Sequence, residues 1–240
     1  MSSAWSEHGS DLRSIALSVS WVEIGQMPSF KCQSVLFDMD GTLVDSTRCV
    51  EAIWGRWAQR HRLDLHHILS VSHGRRTVDS LREVAPHLDI EREAMRLDQE
   101  ELESEDGIEE VKGAAMLIRA LPPDRWAVVT SAGRALATFR LGCAGLPVPP
   151  VLVGADDVAE GKPNPAGYLS AARLLNVAPE QCLVIEDTPA GIQAGRAAGM
   201  QVLAVATTYP ASRLLDAPWI QDFRHTRVVS TNGQIELHAE

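Results

Sequence analysis

The stretch Ser34-Val35-Leu36-Phe37-Asp38-Met39-Asp40-Gly41-Thr42-Leu43-Val44-Asp45 decides how the rest of the chain is read. Val35, Leu36 and Phe37 form an unbroken apolar run, the pattern of a strand buried on both faces. The run stops at Asp38 and Asp40, two carboxylates two residues apart, and Gly41 then lets the chain turn sharply. Three further runs of the same kind follow at Ala127–Val129, Cys182–Ile185 and Val202–Val205, with a weaker one at Val151–Val153. Helical patterns over Ala135–Leu141, Ala166–Leu175 and Ala190–Ala198 separate the later runs, and Gly199 stands where a C-cap is expected. Strand and helix in alternation imply right-handed crossovers and an α/β fold with a Rossmann-like parallel sheet.

Between the first strand and the one near Trp126 the chain is far too long for an ordinary crossover. Helices are predicted over Cys49–His61, around Val78–Val84 and over Glu91–Glu105, forming an inserted α-helical cap over the carboxyl end of the sheet. The expected organisation is an N-terminal extension over 1–30, a core over 31–46 and 112–240, and a cap over 47–111. Within the extension, Ile15, Leu17, Val19 and Trp21 alternate as a short strand would.

Over 240 residues, 22 Lys and Arg stand against 32 Asp and Glu, a formal charge of −10. That balance disfavours nucleic acid, whose binding needs a basic face. Cys32, Cys49, Cys143 and Cys182 are widely spaced and form no zinc or disulfide framework, so they read as free thiols in a reducing compartment. No apolar run approaches the ~20 residues that span a bilayer, and the leader lacks the basic and apolar regions of a secretory signal. The expectation is a cytoplasmic protein without a membrane partner, a monomer or weak homodimer.

Each apolar run ends in residues able to do chemistry, at the strand ends where open α/β sheets bind ligands. Asp38 is a candidate nucleophile toward phosphorus and Asp40 a candidate general acid and base. With Asp187, of Glu186-Asp187-Thr188-Pro189, they make a hard oxygen cage suited to Mg2+. Thr130, the Ser131 amide and Lys162, of Gly161-Lys162-Pro163, can hold phosphoryl oxygens. Trp54 and Trp57, one helical turn apart, read as cap core, and the acidic Asp98–Asp106 as a solvated helix face.

The segments DMDGTLVDS, VVTS, GKPNP and VIEDTPAGIQAGRAAGM, in this order, resemble the four motifs of the haloacid dehalogenase superfamily, in the branch whose helical cap lies between the first two. The likeness covers about Ser34–Pro210. It implies a phosphohydrolase in which Asp38 is the nucleophile, Asp40 the acid/base, and Thr130 and Lys162 the phosphate clamps. Asp187 would then bind Mg2+ together with Asp38 and the Asp40 carbonyl, with Glu186 just behind.

Within that superfamily, dehalogenases lack the second carboxylate that Asp40 supplies. Phosphonate hydrolases need a cap lysine, whereas the lysines here are Lys31, Lys112 and Lys162. Sugar phosphomutases resembling β-phosphoglucomutase carry a cap lysine too, and a histidine where this chain has Val50. A mutase and a non-catalytic sensor of a phosphorylated metabolite are the alternatives to a phosphatase. The segment His73-Gly74-Arg75-Arg76-Thr77-Val78-Asp79 is similar to the cap loop of phosphatases acting on glycerol phosphate and 2-deoxyglucose-6-phosphate. On that likeness His73, Arg76 and Asp79 would contact the hydroxyls of a small sugar or polyol phosphate.

Overall fold

A computed structural model of the chain describes residues 28–239, so the alternation at Ile15–Trp21 lies outside the described residues. Its elements begin with β1 (Ser29–Cys32), β2 (Ser34–Phe37) and β3 (Val44–Asp45). Four helices follow: α1 (Thr47–His61), α2 (Leu65–Ser72), α3 (Thr77–Val84) and α4 (Ile90–Leu102). Then come β4 (Glu109–Glu110), α5 (Ala114–Ala120), β5 (Trp126–Val129), α6 (Arg134–Cys143), β6 (Val151–Val153) and α7 (Ala166–Leu174). The last are β7 (Cys182–Glu186), α8 (Pro189–Ala197), β8 (Gln201–Val205), β9 (Trp219–Ile220), β10 (Thr226–Thr231) and β11 (Gln234–Ala239).

Six strands form one parallel sheet in the order β6-β5-β2-β7-β8-β9. The apolar run after Ser34 is near its centre, with Leu36 between Ala127 of β5 and Val184 of β7. Strand alternation sends Val35 and Phe37 to one face and Leu36 to the other, and all three are fully buried. Leu36 joins Tyr168 and Ala171 of α7 and Ile192 of α8, whereas Val35 and Phe37 join Leu117 of α5 and Leu141 of α6. Helices on both faces account for the continuously apolar character of these strands.

The four helices between β3 and β4 leave and return at one place, because Val44 pairs with Glu110 and Asp45 with Glu109. Helix α4 stops at Leu102, short of the expected Glu105. The chain there turns back along α1, where the Cys49 thiol meets the Ser104 carbonyl at 3.7 Å. Helices α2 and α5 go beyond the predicted set, although Asp64 gives α2 an N-cap by accepting the His66 amide at 2.9 Å. A three-stranded antiparallel sheet, β1-β11-β10, is a further addition, and it buries Ile235 and Leu237.

Trp57 is fully buried and donates Nε1 to Glu93 Oε2 at 2.9 Å, while His61 Nε2 approaches the same oxygen at 3.2 Å. Buried Glu93 thus ties α4 to α1. Glu93→Ala strands the indole N–H and is expected to cost about 1–3 kcal/mol, read as a Tm lowered by several degrees. An unchanged Tm would show that this carboxylate contributes nothing to the helical unit.

Candidate active site

Asp38 follows β2, Thr130 follows β5, and Glu186 ends β7 with Asp187 next. Because β2 lies between β5 and β7, these residues converge at one sheet edge. Lys162, from the loop after β6, forms an ion pair with Asp38 Oδ1 and contacts Glu186 Oε1 at 2.6 Å. Glu186 is completely committed. Its Oε1 also accepts the Tyr168 hydroxyl at 2.8 Å, and its Oε2 accepts the amides of Asp187 and Thr188 at 3.0 and 3.2 Å and the Thr188 hydroxyl at 3.1 Å. Thr188 caps α8, and Gly191 in the first turn leaves room for Glu186, since a Cβ there would overlap the carboxylate. The positive end of α8 therefore faces Glu186.

Burial raises the Asp38 carboxyl to about 7, against the opposing pull of Lys162. Burial also drives Asp187 well above the usual carboxylate range, with the charges of Asp38 and Glu186 adding to the effect. For Lys162, burial works against the ammonium, but Asp38 and Glu186 outweigh it and hold its pKa above the ordinary lysine range. One ammonium thus faces three buried carboxylates.

A divalent cation fits that imbalance. Asp38, Glu186 and Asp187 bring one carboxylate oxygen each within 4.8 Å of the others, and of the three Glu186 already has both oxygens engaged by donors. Asp187 Oδ2 is buried without a hydrogen-bond partner, whereas Oδ1 accepts from the Thr42 hydroxyl at 3.2 Å. Gly41, at φ +82°, passes so close to Asp187 that a Cβ would overlap Oδ2. All-oxygen donors of this kind suit a small hard ion.

Asp40 differs from Asp38 in its surroundings. Its Oδ1 accepts the Ser46 hydroxyl at 2.7 Å and its Oδ2 accepts Arg140 Nη1 at 2.8 Å. Asp38, Asp40, Thr130, Ser131, His73 and Asp187 all line one cavity of about 100 Å³, to which Trp54, Ser72 and Ser80 also contribute. Lys162 and Glu186 lie behind Asp38. The Ser131 hydroxyl donates to the Gly74 carbonyl at 2.9 Å and so holds the cap loop down. His73 packs edge-on to Tyr209 at 6.0 Å, and burial lowers its pKa, favouring the neutral ring.

Arg76 and Asp79, expected at the substrate hydroxyls, are placed beside this cavity and not on its wall. Arg76 makes a two-pronged pair with Asp79, at 2.6 and 3.2 Å, and donates to the Ala159 carbonyl at 3.0 Å. The pair ties the cap to the loop that leads to Lys162. A correction concerns the acidic Asp98–Asp106: Glu101 is buried, 3.1 Å from Arg140 Nη2. Arg140, Glu101, Ser46, Thr42 and Tyr168 escape a reading of the sequence motifs. For the first two the available signal was a charge on an apolar helix face, since Arg140 shares the buried side of α6 with Leu136, Ala137 and Leu141.

Residues 32–199 match the haloacid dehalogenase-like hydrolase family. Hexitol phosphatase A of Escherichia coli (strain K12) is 42% identical over 189 residues, covering 77% of this chain and 88% of that protein. Glycerol-1-phosphate phosphohydrolase 2 of Saccharomyces cerevisiae is 35% identical over 193 residues, covering 75% of this chain and 77% of that protein. A hydrolase from Pseudomonas syringae of known crystal structure superimposes with a TM-score of 0.69 at 26% identity, covering 78% and 91% of the two chains. The chain belongs to the haloacid dehalogenase-like hydrolases and is a phosphatase of that family. Among the described residues no helix is long and apolar enough to cross a membrane.

Mg2+ at a hundred times its Kd should stabilise the fold by about 2.7 kcal/mol, raising Tm by roughly 5–10 °C. Asp187→Asn should remove most of that rise while leaving a folded protein. An equal rise in both proteins would place the cation elsewhere.

Proposed function

We propose that this protein is a Mg2+-dependent phosphatase that hydrolyses the phosphate monoester of a small sugar or polyol through an aspartyl-phosphate on Asp38. The observation that carries the reading is the placement of two differently held carboxylates in one cavity: Asp38 against Lys162, and Asp40 between Ser46 and Arg140. Asp38 is oriented to attack, and Asp40 stands two residues on, able to exchange a proton.

In the first half-reaction an Asp38 oxygen bonds to phosphorus as the ester P–O bond breaks, and the departing alkoxide takes a proton from Asp40. In the second, Asp40 as carboxylate removes a proton from water, whose oxygen attacks phosphorus. Phosphate leaves, and Asp38 and protonated Asp40 are restored. Thr130 and the Ser131 amide hold charge on the phosphoryl oxygens, and Lys162, paired with Asp38 from outside the cavity lining, adds its positive charge from behind the nucleophile. Bound between Asp38, Asp187 and the Asp40 carbonyl, Mg2+ would neutralise charge shared by the nucleophile and the phosphoryl group. Glu186, with both oxygens already accepting hydrogen bonds, serves to hold Lys162.

Hydroxyl-bearing leaving groups suit the polar cavity wall of Thr47, Ser72, His73 and Ser80. The names of the hexitol and glycerol phosphatases support the same class. Val50 on the cavity wall, and the lack of a lysine between Lys31 and Lys112, favour hydrolysis over phosphoryl return to a sugar.

Asp38→Asn should abolish turnover of every ester. Asp40→Asn should lower kcat/KM for glycerol 1-phosphate by about 10²–10⁴-fold but affect p-nitrophenyl phosphate far less, because p-nitrophenolate departs without a proton. Steady-state kinetics on both substrates check this, and equal losses on both would remove Asp40 from the acid role.

A further inference from the structure

Arg140 and Glu101 form a buried charged pair that the reaction outlined above leaves without a task. Arg140, on α6, is 4% exposed, and Glu101, in the last turn of α4, is 5% exposed. Arg140 Nη1 donates to Asp40 Oδ2 at 2.8 Å. Its Nη2 lies 3.1 Å from Glu101 Oε2 without the alignment of a hydrogen bond, and Nε has no partner either. Such a pair is a weak structural device: the sites are apolar by helix periodicity, and a hydrophobic pair of like volume is often as stable or more so. Charges kept at a stability cost, with donors unsatisfied, mark a functional position.

We infer that Arg140 is the positioning residue for Asp40, and that Glu101 anchors Arg140 so that the proton-transfer geometry is set by docking α4 of the cap against α6 of the core. Ser46 and Arg140 each take one oxygen of Asp40, which fixes the carboxylate plane while every oxygen keeps a second lone pair for the proton. Ser46 precedes α1 and sits close to Asp40 in the chain. Arg140 and Glu101 come from opposite sides of the cleft, so docking of α4 adds a charge contact behind the guanidinium that holds Asp40.

The inference rests on the acid/base reading of Asp40, and a double-mutant cycle separates the two. Wild type, Asp40→Asn, Arg140→Met, Arg140→Lys, Glu101→Gln and Asp40→Asn/Arg140→Met are assayed on glycerol 1-phosphate and p-nitrophenyl phosphate. Arg140→Met should lose about 10²-fold in kcat/KM on the alkyl ester and less than about tenfold on p-nitrophenyl phosphate. Arg140→Lys should recover part of the difference, and Glu101→Gln should shift the ratio the same way by a smaller factor. In the Asp40→Asn background, Arg140→Met should cost less than about threefold on either substrate, because a residue acting through Asp40 has nothing left to position. If Asp40→Asn shows no preference between substrates, the reading beneath the inference fails. If Asp40→Asn discriminates but Arg140→Met loses equally on both, or loses much further in the double variant, Arg140 serves the phosphate, the substrate or the fold, and the inference alone is overturned. Should Arg140→Met fail to fold, Arg140→Lys and Glu101→Gln decide by the same ratio.

Discussion

Lys162 brings one positive charge into a pocket where Asp38, Glu186 and Asp187 are all buried, and the surrounding structure arranges itself around that inequality. Unpaired buried carboxylates are costly, so each is given something. Glu186 receives five hydrogen-bond donors, Asp38 receives the lysine, and Asp187 is left with an orphaned oxygen. Placing β2 between β5 and β7 brings these groups together, and Gly41 and Gly191 are there because nothing larger fits against Asp187 and Glu186.

Among the described residues, three polar contacts wire the cap into this cluster, beside the packing of His73 on Tyr209. Ser131 holds Gly74, Arg76 reaches the Ala159 carbonyl, and Glu101 faces Arg140. Only the third touches a residue that contacts a carboxylate of the cavity. Arg76, the more conspicuous cation in the sequence, is therefore a tether, while the inconspicuous Arg140 carries the connection to Asp40.

The sheet was legible because a continuous apolar run of strand length that ends in polar residues is what a strand buried on both faces requires. The residues gathered at one sheet edge by β2, β5 and β7 were legible for the same reason. The C-terminal hairpin was missed although Asn232-Gly233, both at positive φ, is a strong two-residue turn signal between alternating apolar residues. Glu101 reads as solvated because it lies in an acidic run, yet it occupies the same helix face as buried Ala94 and Leu97. Composition hid what periodicity would have shown. The engagement of Arg76 with Asp79 and with a backbone carbonyl 83 residues away in sequence depends on tertiary placement, which no local pattern encodes.

Covalent phosphorylation of Asp38 is the step on which the proposed chemistry turns. Enzyme mixed with glycerol 1-phosphate and Mg2+, quenched in acid within the first turnover and digested, should yield a peptide containing Asp38 that is heavier by one phosphoryl group. The adduct should be lost on treatment with hydroxylamine and be absent from Asp38→Asn. Turnover without an adduct at any quench time, or an adduct on another residue, would contradict a nucleophilic role for Asp38.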